Sequence, residues 1–370
     1  MNFWLILFIV DWLLFIPMAA TVAYLTVFAI ASRFHKQAAV PKSKRQNRFI
    51  VLIPAYKKDD TVLRAVKSVL GQTYPQRLFD VTVISDHQSE MTNWHLAQLP
   101  ITLLTPHFDK SSKGKSLQVA VNNLPQFKIY DIVVVLDADN IVMPEFLEEL
   151  NDAYEYAGTK AVQTHRMAQN RDTPMAVLDA TFEEIHNAVF RLGHVSMGLP
   201  AALAGSGIAF DFQWFKQNIY KTRNYWEDKE IEALLARQHI FVDYFPNIYV
   251  FDEKTRQPRD FVRQRKRWIG AQWHAALANI RFLPAAILNK QYDFMDKILQ
   301  WTLMPRTLLM LIMAVMSIVL PFIYFTLVVK WWILFAYTLF LLAALTPDYL
   351  VDDKWQRAFV KAPFLLLFKR

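Results

Sequence analysis

The sequence predicts an α/β layer domain held at a membrane, and three features predict it. Residues 49 to about 255 alternate short β-branched runs with stretches of helical periodicity, the mark of a layered α/β sheet. Phe3 to Ala31 is apolar apart from Asp11, and long apolar runs recur after Trp301. Asp137-Ala138-Asp139 closes the apolar run Ile132 to Leu136 inside the polar stretch. Two carboxylates two positions apart at a strand's mouth suit a hard divalent cation, which needs one or two carboxylates and completes its shell with water and phosphate oxygens.

Composition narrows the class. Hydrophobic residues make up 54% of the 370, with 28 Phe and 11 Trp, which places part of the chain in lipid. Lys plus Arg number 41 against 33 Asp plus Glu, a net +8 that suits nucleic acid, an anionic membrane face or a phosphate-rich substrate. The basic residues gather at the flanks of the apolar runs, where the positive-inside rule accounts for them, so nucleic acid is not an expected partner. With no cysteine, disulfides, thiolate metal sites and cysteine nucleophiles are excluded.

The N-terminal run exceeds the roughly 20 residues that cross a bilayer. Its basic residues follow it, at Arg33, Lys36, Lys42, Lys44 and Arg45, which is the order of an anchor and not of a cleaved signal peptide. Residues 1–33 are therefore expected to span with the N-terminus outside, followed by a basic linker, 34–48, and a cytoplasmic domain, 49–255. Trp301 to Val329 reads as a second span, Lys330 with Trp331-Trp332 as an interface, and Ile333 to Leu345 as a third, all within 293–348. Asp11 is expected as a rim carboxylate. Region 256–292 is expected as an interfacial amphipathic helix, Arg259 to Leu283, and 349–370 as a basic amphipathic tail.

In the polar middle, strands are expected at Phe49–Ile53, Val81–Ile84, Ile101–Leu104, Ile132–Leu136 and Ala161–Thr164. Thr61 to Leu70, with Val62, Ala65, Val66 and Val69 on one face, and Lys115 to Leu124 read as helices. Open sheets of this kind bind ligands at the carboxyl ends of their strands, where the loop after Ile53, Asp86, Asp137 and Asp139 all fall.

Taken singly the motifs have plain structural readings: a strand ending in a proline turn, an Asp cap, a solvated basic turn, an acidic helix start. Their order is more telling. Val51-Leu-Ile-Pro-Ala-Tyr56, Ile84-Ser-Asp86, Lys113-Gly-Lys115, Leu136-Asp-Ala-Asp-Asn140, Leu203-Ala-Gly-Ser-Gly-Ile-Ala209, Tyr225-Trp-Glu-Asp228 and Gln264-Arg-Lys-Arg-Trp268 follow one another between residues 49 and 273. This series resembles the membrane-embedded branch of family 2 glycosyltransferases with a GT-A fold, which includes cellulose, hyaluronan and poly-N-acetylglucosamine synthases; glucosylceramide synthases share part of the pattern and a few-span layout. Ala161-Val-Gln-Thr-His-Arg166 also resembles a family strand.

The resemblance implies roles. Pro54, Ala55 and Tyr56 would line the nucleotide, and Asp86 would contact its base. Lys113, Lys115 and Arg267 would meet the diphosphate, and Asp137 and Asp139 would hold Mg²⁺ or Mn²⁺. Gly205, Ser206 and Gly207 would form the acceptor-side loop, with Glu227, Gln264 and Trp268 also on the acceptor. Asp228 would be the base of an inverting β-transfer from a nucleotide sugar, most readily a UDP-sugar. The sequence departs from the family at Lys57 to Asp60, His87, Asp211 and Trp226, and no role is assigned to His87. The acceptor implied by the resemblance is a growing envelope polysaccharide, which three spans would export only as an oligomer or with a partner, or alternatively a lipid receiving a single sugar. A non-catalytic membrane scaffold would lack the three aspartates that are present here.

Overall fold

The computed structural model describes residues 3–36, 38–222 and 226–367. Its centre is an eight-stranded sheet in the order β3-β2-β1-β4-β7-β6-β8-β5. The strands are β1 (Phe49–Tyr56), β2 (Phe79–Asp86), β3 (Thr102–Leu104), β4 (Ile132–Val135), β5 (Ile141–Val142), β6 (Ala161–Ala168), β7 (Ile208–Asp211) and β8 (Val242–Asp252). β1 is parallel to both β2 and β4, whereas β7 runs antiparallel between β4 and β6. All five expected strands are present.

The sheet is covered on both faces, which is why its strands read as near-continuous apolar runs. Phe49, Val51 and Ile53 of β1 join a core with the helices Val62–Leu70 and Phe146–Ala157. The alternate residues Ile50 and Leu52 join a second core with the helix Lys113–Asn122 and with Ile231 and Leu235 of the helix Glu227–Arg237. The strand period of two thus sorts one segment into both cores.

β7 and β8 escape the sequence pattern. β8 carries Pro246, and the pairing jumps from Thr164–Phe245 to His165–Tyr249, so a bulge absorbs the residue that has no N–H to give. β7 is four residues long and begins directly after the Gly205–Gly207 loop.

The membrane-proximal part differs from expectation in detail. Two helices are long and apolar enough to cross a membrane, Phe3–Arg33 and Phe325–Ala344, and a third span results if a bent pair counts as one. The expected single span Trp301 to Val329 is not one helix. Tyr292–Thr302 ends at a break before Arg306–Val319, the axes bend by 52°, and a short turn at Leu320–Phe322 precedes the next helix. Pro305 and Pro321 lack the N–H that a continuous helix needs. The last span starts at Phe325, so Lys330 and Trp331-Trp332 lie within a helix and not at an interface turn.

Asp11 is also no rim residue. It is buried against Lys330, its partner in an ion pair, and accepts a hydrogen bond from Trp331 Nε1 at 2.7 Å. The amphipathic helix runs from Pro258 to Asn279, and the tail forms a helix, Asp353–Leu367. Tyr225, quoted in the motif before Asp228, and the tail's Phe368, Lys369 and Arg370 lie outside the described residues.

Candidate active site

Three neighbouring parallel strands end at one edge. β1 ends at Tyr56, which pairs in register with Asp86 at the end of β2, and Asp137 follows β4. Pro54 and Ala55 precede Tyr56 within β1, opposite Ile84 and Ser85. Asp86 is buried and lies 2.5 Å from His87 Nδ1; the His87 ring in turn meets Tyr56 edge-on at 5.7 Å and stacks near His107 at 5.8 Å. His87, to which the sequence assigned nothing, is thus in contact with Asp86. Its backbone φ of +57° turns the chain sharply at this point.

The two aspartates of the Asp-x-Asp turn are held differently. Asn140 closes the turn by accepting from the Asp137 N–H at 3.0 Å and donating to Asp139 Oδ1 at 3.3 Å. Asp137 pairs with Lys113, and the same ammonium donates to the Gly205 carbonyl at 2.7 Å. Asp139 pairs with Lys58 at 2.7 Å. Lys58 belongs to the stretch that departs from the family pattern, and the structure gives that departure a place.

Burial works against ionisation of Asp137, but the Lys113 ammonium and the Arg166 guanidinium together outweigh it and hold the carboxyl below its ordinary value. Burial and the neighbouring Asp137 charge push Asp139 the other way, upward. Burial likewise opposes the Lys113 charge, yet Asp137, Glu227 and Asp228 together keep its pKa above the usual lysine value.

The Gly205–Gly207 loop, expected on the acceptor side, is fixed by its glycines and by β6. Gly205 and Gly207 have φ of +83° and +63°, a region that side chains with a Cβ rarely adopt. Gln163 accepts from the Ala204 N–H at 2.8 Å and donates to the carbonyls of Ser206 and Gly207 at 3.1 Å. Arg166 donates to Ala204 O at 2.8 Å and forms a buried pair with Asp252. Ser206 Oγ is buried with no hydrogen-bond partner among the described residues, although it is near enough to favour the ionised form of Asp137.

Asp228 and Glu227 open the helix Glu227–Arg237, where the macrodipole favours acidic side chains. A Cβ on Gly205 would stand 3.7 Å from Asp228 Oδ2, so the carboxylate faces the loop across about the space of one methyl group. Glu227 is buried, and that burial together with Asp228 pushes its pKa up to about 7. Lys113, Gly205, Glu227 and Asp228 line one small cavity.

The remaining expected residues lie apart from this group. Lys115 is exposed and donates to the Lys110 carbonyl at 2.8 Å within its own loop, so it does not join Lys113 on Asp137. Arg267 is exposed, and the guanidinium that organises its turn is Arg265. Arg265 pairs with Asp179 at 2.7 Å and lies over the rings of Trp268, at 4.4 Å, and Phe261, at 4.7 Å. Gln264 is half-buried with its Oε1 unpartnered among the described residues. This helix packs on the Asp228 helix through Ala275 and Ala276 against Ala233 and Ala236, and the Trp226 ring meets His274 at 5.0 Å.

The chain carries no cluster of three His, Asp or Glu suited to a metal among its described residues. The donor set is nevertheless that of a substrate-completed site: two carboxylates at one strand end, the unpartnered Ser206 hydroxyl beside them, and two lysines that now share their charge. Asp137 and Asp139 would hold the ion, with diphosphate oxygens making up the shell.

Comparisons with known proteins bear on the fold and the family. No curated protein matches the sequence. Among solved structures, the chain is similar to a mannosyltransferase, PcManGT, from Pyrobaculum calidifontis, in complex with GDP-Man and Mn2+. The TM-score is 0.57 at 15% identity, over 89% of this chain and 95% of that one. It is also similar to residues 1–349 of S. aureus TarS, with a TM-score of 0.45 at 13% identity, over 86% and 89% of the two chains. The first likeness carries the fold, that of GT-A glycosyltransferases. Residues 46–271 match the model of "Glycosyltransferase like family 2", more than half of the chain, and the protein belongs to that family of nucleotide-sugar transferases.

Proposed function

We propose that this protein is a membrane-bound, inverting glycosyltransferase that moves a sugar from a nucleotide sugar, a UDP-sugar by the resemblance around Asp86, to a hydroxyl with β-linkage. The observation that carries the reading is Lys113, which bridges Asp137 and the Gly205 carbonyl and lines one small cavity with Gly205 and Asp228; in this reading it joins the diphosphate end, the acceptor loop and a carboxylate base. In this reading Asp228 takes the proton of the acceptor hydroxyl as its oxygen bonds to the anomeric carbon, and the bond from that carbon to the diphosphate oxygen breaks. Lys113 stays on the leaving diphosphate, where negative charge grows. A Mg²⁺ or Mn²⁺ ion on Asp137 and Asp139 supplies further stabilisation of that charge. The Mn2+ of the Pyrobaculum calidifontis structure supports a divalent ion, while its GDP-Man makes a mannosyl donor the alternative to test.

Two acceptors fit: a growing envelope polysaccharide, or a lipid that receives one sugar. The lipid reading is favoured by the two or three apolar spans, too few to wall a channel for a secreted polymer within one chain. The domain is cytoplasmic with the N-terminus outside, on the positions of the basic residues after the first span. The test is incubation of the protein in lipid with radiolabelled UDP-sugars and GDP-mannose, with and without EDTA. Label is expected in extractable lipid or in high-mass polymer, only with a divalent ion present. Turnover that survives chelation would remove the metal from the reading.

A further inference from the structure

Beside the Asp228 helix lies a second groove that the reaction does not use. It lies between Glu227–Arg237 and Pro258–Asn279. Lys221, Lys229, Arg237 and Arg281 line it, with His274 and Trp226, and among the described residues Glu230 is the one carboxylate in its lining. Four cations against one acid is a wall built for an anion.

The cations are held in place by different means. Lys229 pairs with Glu232 at 2.7 Å, so part of its charge is committed. Lys221 donates to Asn218 Oδ1 at 2.8 Å. Arg237 and Arg281 both lie on the Phe282 ring, at 4.5 and 4.8 Å from its centre, which fixes two guanidinium groups without neutralising them. Guanidinium forks of this kind match the oxygens of a phosphate.

The rim of the groove selects the source of that phosphate. Trp273, Leu277 and Ile280 are exposed and follow one another on the turns that carry His274 and Arg281. An exposed apolar strip beside a cationic groove fits an anion attached to acyl chains, because the chains cover the strip while the headgroup enters the groove. A free phosphate would leave the strip in water. We propose that this groove binds the headgroup phosphate of a lipid and seats the helix Pro258–Asn279 on an anionic membrane surface.

The test uses the full chain in nonionic detergent, incubated with equal amounts of phosphatidylglycerol and phosphatidylcholine, with retained lipid read by native mass spectrometry. Wild type is expected to retain phosphatidylglycerol about tenfold or more over phosphatidylcholine, on the scale of two basic contacts near a surface. Arg237→Gln with Arg281→Gln is expected to bring the ratio close to one. Arg263→Gln with Lys266→Gln, on the same helix but outside the groove, is expected to leave it unchanged. Arg237→Lys with Arg281→Lys keeps both charges and is expected to keep most of the preference. Parity in the wild type, an equal loss in the Arg263/Lys266 control, or an equal loss in the lysine pair would overturn the site. Inorganic phosphate that displaces phosphatidylglycerol at equal concentration would make the groove a free-phosphate site and overturn the lipid assignment.

Discussion

Glu232 and Lys297, both buried, meet at 3.2 Å and tie the helix that carries Asp228 to the helix Tyr292–Thr302. Glu232 also accepts from the Leu203 N–H at 3.1 Å, from Trp301 Nε1 at 3.3 Å and from Lys229 at 2.7 Å. One carboxylate therefore joins the Asp228 helix, the stretch leading into the glycine loop and the helix Tyr292–Thr302. Glu232→Gln takes this counter-charge from the buried Lys297 and the half-buried Lys229, a change expected to cost about 3–5 kcal/mol. Thermal unfolding in detergent measures it. Burial opposes ionisation of Glu232, but Lys229 and Lys297 hold its pKa down to about 2. The stability from this pairing is present above the ordinary glutamate value and is lost as pH falls from there toward 2. The gap between wild type and Glu232→Gln is expected to close in that window, and a gap that persists at pH 2 would sink the charge argument.

Glu227, five residues earlier on the same helix, has the opposite shift. Burial and Asp228 push it up to about 7, so the folded protein holds a proton there that the unfolded chain releases near the ordinary value of 4.5. Stability from this group is full below 4.5 and is lost as pH rises through 7. Glu227→Gln removes a cost on the order of 3 kcal/mol at pH 8. The variant is expected to unfold at a higher temperature than wild type at pH 8 and at nearly the same temperature at pH 4.5. A gain that does not depend on pH would mean that the carboxyl is not the cause.

Much of this site was legible in the sequence because its parts end strands of uniform apolar character. Asp86, Asp137 and the residues around Tyr56 needed only the placement of β1, β2 and β4. The Gly205 to Gly207 loop and the Glu227-Asp228 pair followed from motif order. What stayed hidden depends on side chains that reach across the fold. Lys58 looked like a departure from pattern, and nothing local to it foretells Asp139. Lys115 and Lys113 are equivalent in sequence, yet the first helical turn aims only Lys113 at Asp137. Arg265 and Arg267 share one turn, and only the packing of Phe182, Phe261 and Trp268 decides which of them is enclosed. β8 was missed because Pro246 breaks the alternation that marks a strand.

The two glycines of the acceptor loop are expected to fail in different ways. A Cβ on Gly207 would stand 2.6 Å from Thr164 Oγ1 and 3.1 Å from Val250 Cγ2. Gly207→Ala must move a hydroxyl that already donates to Gly207 O at 2.8 Å, and it adds strain at positive φ. A stability loss of about 1–3 kcal/mol is expected, read as a lowered unfolding temperature. At Gly205 the added methyl meets only Asp228, at 3.7 Å. Gly205→Ala carries strain at positive φ but no clash, and is expected to cost less stability while lowering transfer by roughly 10²-fold, because the methyl fills the space beside the Asp228 carboxylate. Equal effects of the two substitutions on both measurements would contradict this division.

Asp11 and Lys330 make the last test, because their charges lie on two helices long and apolar enough to cross a membrane. Lys330 also lies 3.8 Å from the centre of the Trp12 ring, and Trp331 Nε1 gives Asp11 a further hydrogen bond. Charges inside apolar spans are tolerated when they pair with one another. Removing one partner strands the other, so Asp11→Asn or Lys330→Met alone is expected to lower stability by about 3–5 kcal/mol. Removing both takes away the stranded charge, and Asp11→Asn with Lys330→Met is expected to lie closer to wild type than either single variant. Unfolding of the four proteins in one detergent gives the coupling directly. Additive losses would mean that the two side chains act independently, and that packing alone joins the first and last spans.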